Sequence, residues 1–408
     1  MPEPASPSTP TRARVGLVGL GGYAGMICKL LRSENVNPAG RTTLVAGFAP
    51  DPENHGPLLE ELEKESVRRH ASFADLLEDD DVDAVWLPVP IGLHRPMALA
   101  ALKAGKTVML EKPVAGCIDD HDAIASAAER SGGTVLIGFQ DIYRPTTLDL
   151  KRRLLAGEFG KPKAAAMLGL WPRPDDYFAR NNWAGQQKVG DAWVLDSPLN
   201  NAMAHYVNLA LFLLGNADQA AAQPTSVEAS LWRARNDIDN FDTCSLRVGL
   251  AETCDFTINM SHAVGRSDNP RVEIDTDRGT LHIDFSGRAT FDGVEVVARE
   301  DGRPHMARAL GAAALGETPA PAATLDTSRP HTLIVSAAAQ AAPVVYVEGE
   351  RCDGVSVIPG LVDAAQRAFA ERATLPEAGF SPGDTRTEML DDLLNYGVFS
   401  GPALIFRA

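Results

Sequence analysis

Apolar positions in the first third of the chain form short unbroken runs separated by stretches of helical periodicity. Residues 15–18, 43–48, 84–88, 107–110 and 135–139 read as strands, and residues up to 31, 58–69, 96–104 and 119–131 read as the helices between them. This alternation predicts a parallel sheet with crossover helices. The strands are apolar at every position rather than at every second one, so helices should cover both faces. The acidic run Glu78-Asp79-Asp80-Asp81 falls between a helix and a strand and reads as solvated loop.

Beyond residue 142 the rhythm changes. A helix at 148–155 ends at Gly157, a loop rich in Trp, Asn and Arg follows, and an apolar helix is predicted over 201–214. Strand-like runs then come in close succession at 227–233, 243–248, 253–260, 272–275, 280–285 and 294–297. Strands without intervening helices predict a largely antiparallel sheet, open and half covered by helices. Residues 312–323 read as an Ala/Pro/Gly loop, and a helix at 330–342, a strand at 344–347 and a helix at 360–371 complete the pattern. The predicted fold class is therefore α/β, a doubly wound parallel sheet over 13–142 followed by an α+β domain over 143–408. Residues 1–12, with four prolines among the first ten, read as a flexible tail.

Composition narrows the possible partners. Of 408 residues, 54 are acidic and 38 are Lys or Arg, giving a net charge of -16. Phosphate neutralisation, the basis of nucleic-acid affinity, is disfavoured. With 45% hydrophobic and 23% charged residues, the chain has the usage of a packed globular protein. The length favours two domains. The longest apolar runs, such as 207–215, fall far short of the roughly 20 residues a membrane helix needs. Five scattered cysteines show no paired metal or redox spacing, so a reducing, cytoplasmic location is expected.

The sharpest local motif is Gly19-Leu20-Gly21-Gly22-Tyr23-Ala24, placed after a buried-type strand and at the start of a helix. In that setting Gly19 permits the turn, Gly21 lets a pyrophosphate approach the backbone, and Ala24 allows close helix-to-strand packing. The helix start then offers free N–H groups to phosphate. This is the pattern of a dinucleotide-binding Rossmann domain, with NAD or NADP as cofactor. The end of the second strand, Gly47-Phe48-Ala49-Pro50-Asp51, puts Asp51 two residues beyond the usual place of a ribose-binding acid. No Lys or Arg lies between Phe48 and Glu63 to clamp a 2'-phosphate, so the reading leans to NAD.

Glu111-Lys112-Pro113, preceded by Ala101-Leu102-Lys103-Ala104-Gly105-Lys106-Thr107-Val108, resembles the signature of the Gfo/Idh/MocA oxidoreductases, the glucose-fructose oxidoreductase and inositol dehydrogenase family. The resemblance runs from the glycine turn through Pro88-Val89-Pro90 and Gly160-Lys161-Pro162 to at least Gly215, and more loosely to about Tyr346. It implies a second domain whose open sheet mediates oligomer contacts, hence a homodimer or homotetramer, and whose near face bounds a substrate pocket. The implied cofactor contacts are Gly19, Gly21, Gly22, Tyr23, Ala24, Asp51, Pro90, His94, Glu111 and Lys112. His94 would approach the nicotinamide or cap the helix beginning at Pro96.

Lys112 and His205 are the implied catalytic pair. Hydride transfer at a secondary alcohol needs a group to handle the hydroxyl proton, and a lysine at the carboxyl end of a parallel strand suits that task. Relatives carry Asp, three residues, then His, often with another Asp three residues on; the matching positions here are Asn201, His205 and Asn208. Spacings of four and three would put all three on one helix face. Asp196 is the candidate to supply a missing carboxylate. The segment 171–183 offers aromatic faces and hydrogen-bonding groups suited to a polyhydroxylated ring, with Tyr177, Arg180, Asn182 and Trp183 joining Lys112, Asn201 and His205 as expected substrate contacts.

The sequence thus reads as an NAD(P)-dependent oxidoreductase acting on a sugar, amino sugar or cyclitol hydroxyl. Two alternatives stay open: a glycoside-processing enzyme that retains NAD through a transient oxidation, and a non-catalytic ligand sensor.

Overall fold

The computed structural model describes residues 12–317, 323–383, 385–396 and 398–403. The first eleven residues of the expected tail, and residues 318–322 of the expected loop, lie outside that set. Arg12 is tied down, donating to the Asn35 carbonyl at 2.8 Å.

Six parallel strands form the first sheet: β1 (Ala13–Val18), β2 (Thr42–Phe48), β3 (Arg68–Arg69), β4 (Ala84–Leu87), β5 (Thr107–Leu110) and β6 (Val135–Ile137), in the order β3-β2-β1-β4-β5-β6. The direction of winding reverses between β1 and β4, and ligands collect at such a switch point beyond the carboxyl ends of the strands. Helices α1 (Gly22–Val36), α2 (Gly56–Lys64), α3 (Phe73–Glu78), α4 (His94–Lys103) and α5 (Ile118–Ser131) make the crossovers. The acid-rich helix stops at Lys64, earlier than the pattern predicts, because the chain turns back at Ser66 with φ of 64° to lay β3 against β2. The acidic loop is not wholly given to solvent, since Asp79 pairs with Arg68 and Asp81 with Arg14.

The second sheet contains a strand that the hydrophobic pattern did not show. After α6 (Pro145–Leu155) comes β7 (Pro162–Leu170), whose Ala-Ala-Ala-Met-Leu-Gly-Leu run uses residues that are poor strand formers. It nevertheless occupies the middle of the sheet. Next along the chain come α7 (Asp175–Ala179), β8 (Lys188–Val189), β9 (Ala192–Trp193) and α8 (Ala204–Leu214). Strands β10 (Pro224–Arg233), β11 (Thr243–Leu250), β12 (Asp255–Ser261), β13 (Asp268–Thr276), β14 (Thr280–Ile283), β15 (Ala289–Phe291) and β16 (Val294–Val297) follow. These eight strands lie in the order β16-β15-β14-β13-β7-β12-β11-β10, antiparallel among themselves except for the β7–β12 pair, and the sheet continues beyond β10.

Two helices beyond the sheet return to the first domain. Helix α9 (Arg303–Ala314) packs on α1, β1, β2 and β5, although the sequence reading placed no helix there and expected loop from 312. Its approach is close at both ends, because a side chain at Gly302 would strike the Gln140 carbonyl and one at Gly311 the Arg41 carbonyl. Helix α10 (Leu325–Ala341) lies between α5 and α8 and starts with a capping box of Thr324 and Thr327. The first domain, expected to close at 142, is therefore completed by a helix from the second half of the chain.

The remaining elements are β17 (Val344–Tyr346), the hairpin β18 (Glu350–Cys352) and β19 (Val355–Val357), α11 (Leu361–Ala370) and β20 (Glu388–Asp391). Beyond β10 the sheet is continued by β20, antiparallel along one half of the strand, and by β17, parallel along the other. Alternation divides β7: Ala165 and Met167 join the main core, while Ala166, Leu168 and Leu170 pack on the far side with Leu361, Ala365 and Phe369 of α11. The following segment is bonded across the same outer face. Asn259 Nδ2 donates to the Ala373 carbonyl at 3.0 Å, the Leu375 amide to Ser245 Oγ at 2.8 Å, and Trp232 Nε1 to Thr385 Oγ1 at 3.1 Å. Arg372 bridges to Glu273 and Asp275 on β13. Part of the outer face of this sheet is thus covered by the chain's own residues.

Candidate active site

At the switch point the glycine turn has the conformation its residues require. Gly19 and Gly22 have φ of 82° and 52°, and the Gly19 amide donates to the Phe48 carbonyl at 2.7 Å, tying the ends of β1 and β2. Gly21 is the N-cap of α1 and no side chain caps that helix, so its first amides are left for a ligand. A Cβ at Gly19 would just touch the Ala24 methyl at 3.4 Å, so the turn and the start of α1 lie close together. Tyr23 is exposed beside this turn. These features fit the pyrophosphate of a dinucleotide.

The ribose end is less clear-cut. Asp51 accepts from Asn54 at 3.2 Å and lies 3.4 Å from His55 Nε2, so it is turned onto its own loop. His55 in turn borders Gly21. Pro90 is exposed at the end of β4.

Two expected cofactor residues have structural tasks. His94 is buried at the start of α4, with Nε2 2.9 Å from the Val89 carbonyl and Nδ1 2.8 Å from the Pro113 carbonyl, clipping the loops after β4 and β5 together. It begins α4 rather than capping a helix at Pro96. The Glu111 side chain turns inward, accepting from Trp86 Nε1 at 3.0 Å, and burial pushes its carboxyl up to about 7. A side chain at Gly138 would collide with it.

Lys112, at the carboxyl end of β5 and joined to Pro113 by a cis peptide, points the other way. Its Nζ donates to the carbonyl of Asn201 at 2.9 Å and to Asn201 Oδ1 at 3.1 Å. The Asn201 amide is oriented by its second contact, because Nδ2 donates to Asp196 Oδ1 at 2.7 Å. Asp196 Oδ2 accepts the Gly185 amide at 2.6 Å. A buried carboxylate thus reaches the lysine through an amide, and an Asp at 201 would set two buried carboxylates 2.7 Å apart. Burial lowers the Lys112 pKa, opposed by Glu111 and Asp196 and assisted by Arg180.

The helix expected over 201–214 is divided. Residues Pro198–Ala202 form a π turn closed by Met203 N–H to the Pro198 carbonyl, and α8 begins only at Ala204. Asn201 therefore lies in the turn while His205 and Asn208 lie on the helix, contrary to the single face that the spacing predicts. Asn208 is fully buried and its amide has no partner in the protein. His205 packs edge-on against Phe139 and lies with Nδ1 3.5 Å from Asp141 Oδ2. Burial pushes its pKa well below the usual imidazole value, with Lys112, Arg303 and Arg144 adding to the effect. Asp141 is itself paired with Arg144 at 2.5 Å. Sequence reasoning missed Asp141, Arg144 and Arg303, which come from a short 3-10 turn, the residue before α6 and the first turn of α9. Only the fold brings them to His205.

The aromatic segment also departs from expectation. Arg180 lies over the Tyr177 ring with Cζ 3.5 Å from its centroid, and over Trp183 at 5.3 Å. Arg173 lies over Tyr177 at 4.6 Å and over Trp171 at 5.5 Å. Guanidinium groups thus lie against the rings expected to stack on a substrate. Asn182 is exposed beside them.

A doubly wound sheet with an uncapped glycine turn, facing a second domain that supplies a histidine and a bound lysine partner, defines a two-domain dinucleotide-binding protein. The chain belongs to the Gfo/Idh/MocA family: residues 13–139 match the oxidoreductase family, NAD-binding Rossmann fold, and residues 147–282 match the GFO/IDH/MocA C-terminal domain. It is 27% identical over 329 residues to inositol 2-dehydrogenase of Rubrobacter xylanophilus, covering 76% of this chain and 85% of that protein. With scyllo-inositol 2-dehydrogenase (NAD(+)) of Bacillus subtilis it shares 34% over 88 residues, 22% of this chain and about a quarter (26%) of that relative's length. In fold it is similar to the WlbA dehydrogenase from Chromobacterium violaceum, solved with NADH and UDP-GlcNAcA, with a TM-score of 0.68 at 23% identity over 82% of this chain and 95% of that one. No helix among the described residues is long and apolar enough to cross a membrane.

Proposed function

We propose that this protein transfers a hydride between a nicotinamide cofactor and a hydroxyl-bearing carbon of a sugar or cyclitol, with Lys112 and His205 handling the proton. The observation that carries the reading is the Lys112 ammonium, held at the switch point by both oxygens of Asn201 rather than by a carboxylate. Burial and Arg180 favour the amine of a lysine so held, against Glu111 and Asp196, so its proton is released more readily than that of an exposed lysine. The bound nicotinamide would accept or donate the hydride.

In the oxidising direction, the Lys112 amine takes the hydroxyl proton as the carbonyl forms, and its ammonium then stabilises oxygen charge in the reverse step. His205, kept neutral by burial, offers Nε2 as a donor or acceptor to a neighbouring hydroxyl, while Nδ1 lies 3.5 Å from Asp141 Oδ2 without a hydrogen-bond partner in the protein. The glycine turn and the uncapped start of α1 hold the pyrophosphate. NAD is favoured over NADP, since the loop after β2 carries no guanidinium or ammonium.

The test is a panel of polyols and sugars followed by nicotinamide absorbance with each cofactor. Free reduced cofactor appearing in step with substrate loss supports the reading. Turnover of a glycoside without net reduction would support a retained cofactor instead, and cofactor binding without any turnover a sensor.

A further inference from the structure

The rings of segment 171–183 are not available in the way a neutral sugar would use them. Stacking on a sugar needs a bare aromatic face, whose electron density meets the apolar CH groups. Here two guanidinium groups lie against the Tyr177 ring, and its edge is met by Phe178 and His262 at 5.1 and 5.8 Å between centroids. Cation–π contact fixes the position of each arginine without consuming its hydrogen-bond donors. Of the two acids between them in sequence, Asp175 is committed to Arg235 and Arg351, and Asp176 is exposed and makes no ion pair among the described residues. No ion pair joins Arg173 or Arg180 to an acid among the described residues, and Arg173 Nε is buried without a partner.

Arg180 is the member of this pair that borders the lysine site. The Arg180 loop returns at Gly185, whose amide is bonded to Asp196, and Asp196 is bonded to Asn201 beside Lys112. Arg180 lowers the pKa of both Lys112 and His262. Asp196 is the carboxylate within this bonded group, and its oxygens are occupied by Asn201 and Gly185.

We infer that the substrate is anionic, a sugar or cyclitol bearing a carboxylate or phosphoryl group that Arg173 and Arg180 receive while its reacting hydroxyl lies at Lys112. The inference rests on the hydride-transfer reading and narrows its substrate class. Guanidinium pairs bind such oxygens bidentately, with strong charge-assisted bonds, and a neutral polyol gains nothing comparable.

The test is titration of the NADH-loaded full chain, followed by tryptophan fluorescence, with D-glucose, D-glucuronate and D-glucose 6-phosphate. At least one anionic probe should bind about 10-fold or more tightly than glucose, with the advantage shrinking as salt rises. Glucuronate and glucose 6-phosphate separate the carboxylate from the phosphoryl source. Arg180→Gln should erase the advantage while leaving NADH affinity unchanged, and Arg180→Lys should restore part of it; Arg180 is exposed, so folding is not at stake. Glucose binding as tightly as both anions, no binding by either anion, or an undiminished advantage in Arg180→Gln overturns the inference. Lys112-dependent turnover of neutral polyols without any anion preference would leave the hydride-transfer reading standing and remove only this one.

Discussion

Asp196→Asn removes the buried charge behind Lys112 while keeping an oxygen for the Gly185 amide. The two hydrogen bonds of 3.1 and 2.7 Å, with the width of the Asn201 amide between them, separate the charges. Taking about 7 Å for that separation and an effective dielectric of about 20, the attraction is worth about 2 kcal/mol, equivalent to about 1.5 pH units. The sign follows from the charge: without the carboxylate the ammonium is less favoured, so the Lys112 pKa falls further. Glu111, Arg180, His205 and His331 also act within this site, and the variant leaves them in place. If the amine is the base, the acidic limb of kcat/KM for alcohol oxidation should move down by about 1 to 1.5 pH units. The assay is the pH profile of wild type and variant on the best substrate of the panel, with a thermal melt to verify folding. An acidic limb that stays in place, in a folded variant, would refute the link from Asp196 through Asn201 to the proton-transfer step.

Lys112→Met should keep NADH binding and lower kcat by at least about two orders of magnitude, the scale of losing a proton-transfer group, as read by steady-state rates beside a binding titration. Titration of the cofactor-free protein should show tighter binding of NADH than of NADPH, and the reverse order would mean that a 2'-phosphate contact comes from outside the loop after β2. Arg372→Ala removes the bridge to Glu273 and Asp275 and should cost about 2 kcal/mol, a fall of about 2–4 °C in Tm, with NADH affinity unchanged; an unaltered melt would mean the bridge is offset by solvent.

Five of the first sheet's six strands were legible because burial on both faces makes their centres continuously apolar, with helical periodicity between them; β3, the exposed pair Arg68-Arg69, carries no such run. The glycine turn and Lys112 were legible because their neighbours in sequence are also their neighbours in space. Strand β7 was not, since Ala and Gly in a fully covered central strand carry neither alternation nor branched side chains. Helix α9 buries Met306, Ala307, Ala309, Leu310 and Gly311, a stripe too weak to stand out from an Ala-rich stretch. His205 was placed by its resemblance, but its neighbours Asp141, Arg144 and Arg303 are assembled from distant segments, which no local spacing encodes. Asp196 stood five residues from Asn201, and the π turn rather than helical periodicity brings them into contact.

The outer layer over the second sheet makes that face's contribution to stability unimolecular. Polar side chains of β10, β11 and β12 that would otherwise need water or another molecule end on Thr385, Leu375 and Ala373 of the same chain. Energy gained there does not rise or fall with protein concentration, as it would for a face completed by a neighbour. It depends instead on an intact backbone. A single proteolytic cut between Gly360 and Thr385 would turn an intramolecular closure into a bimolecular one and leave a polar, strand-bordered surface to be filled again from solution.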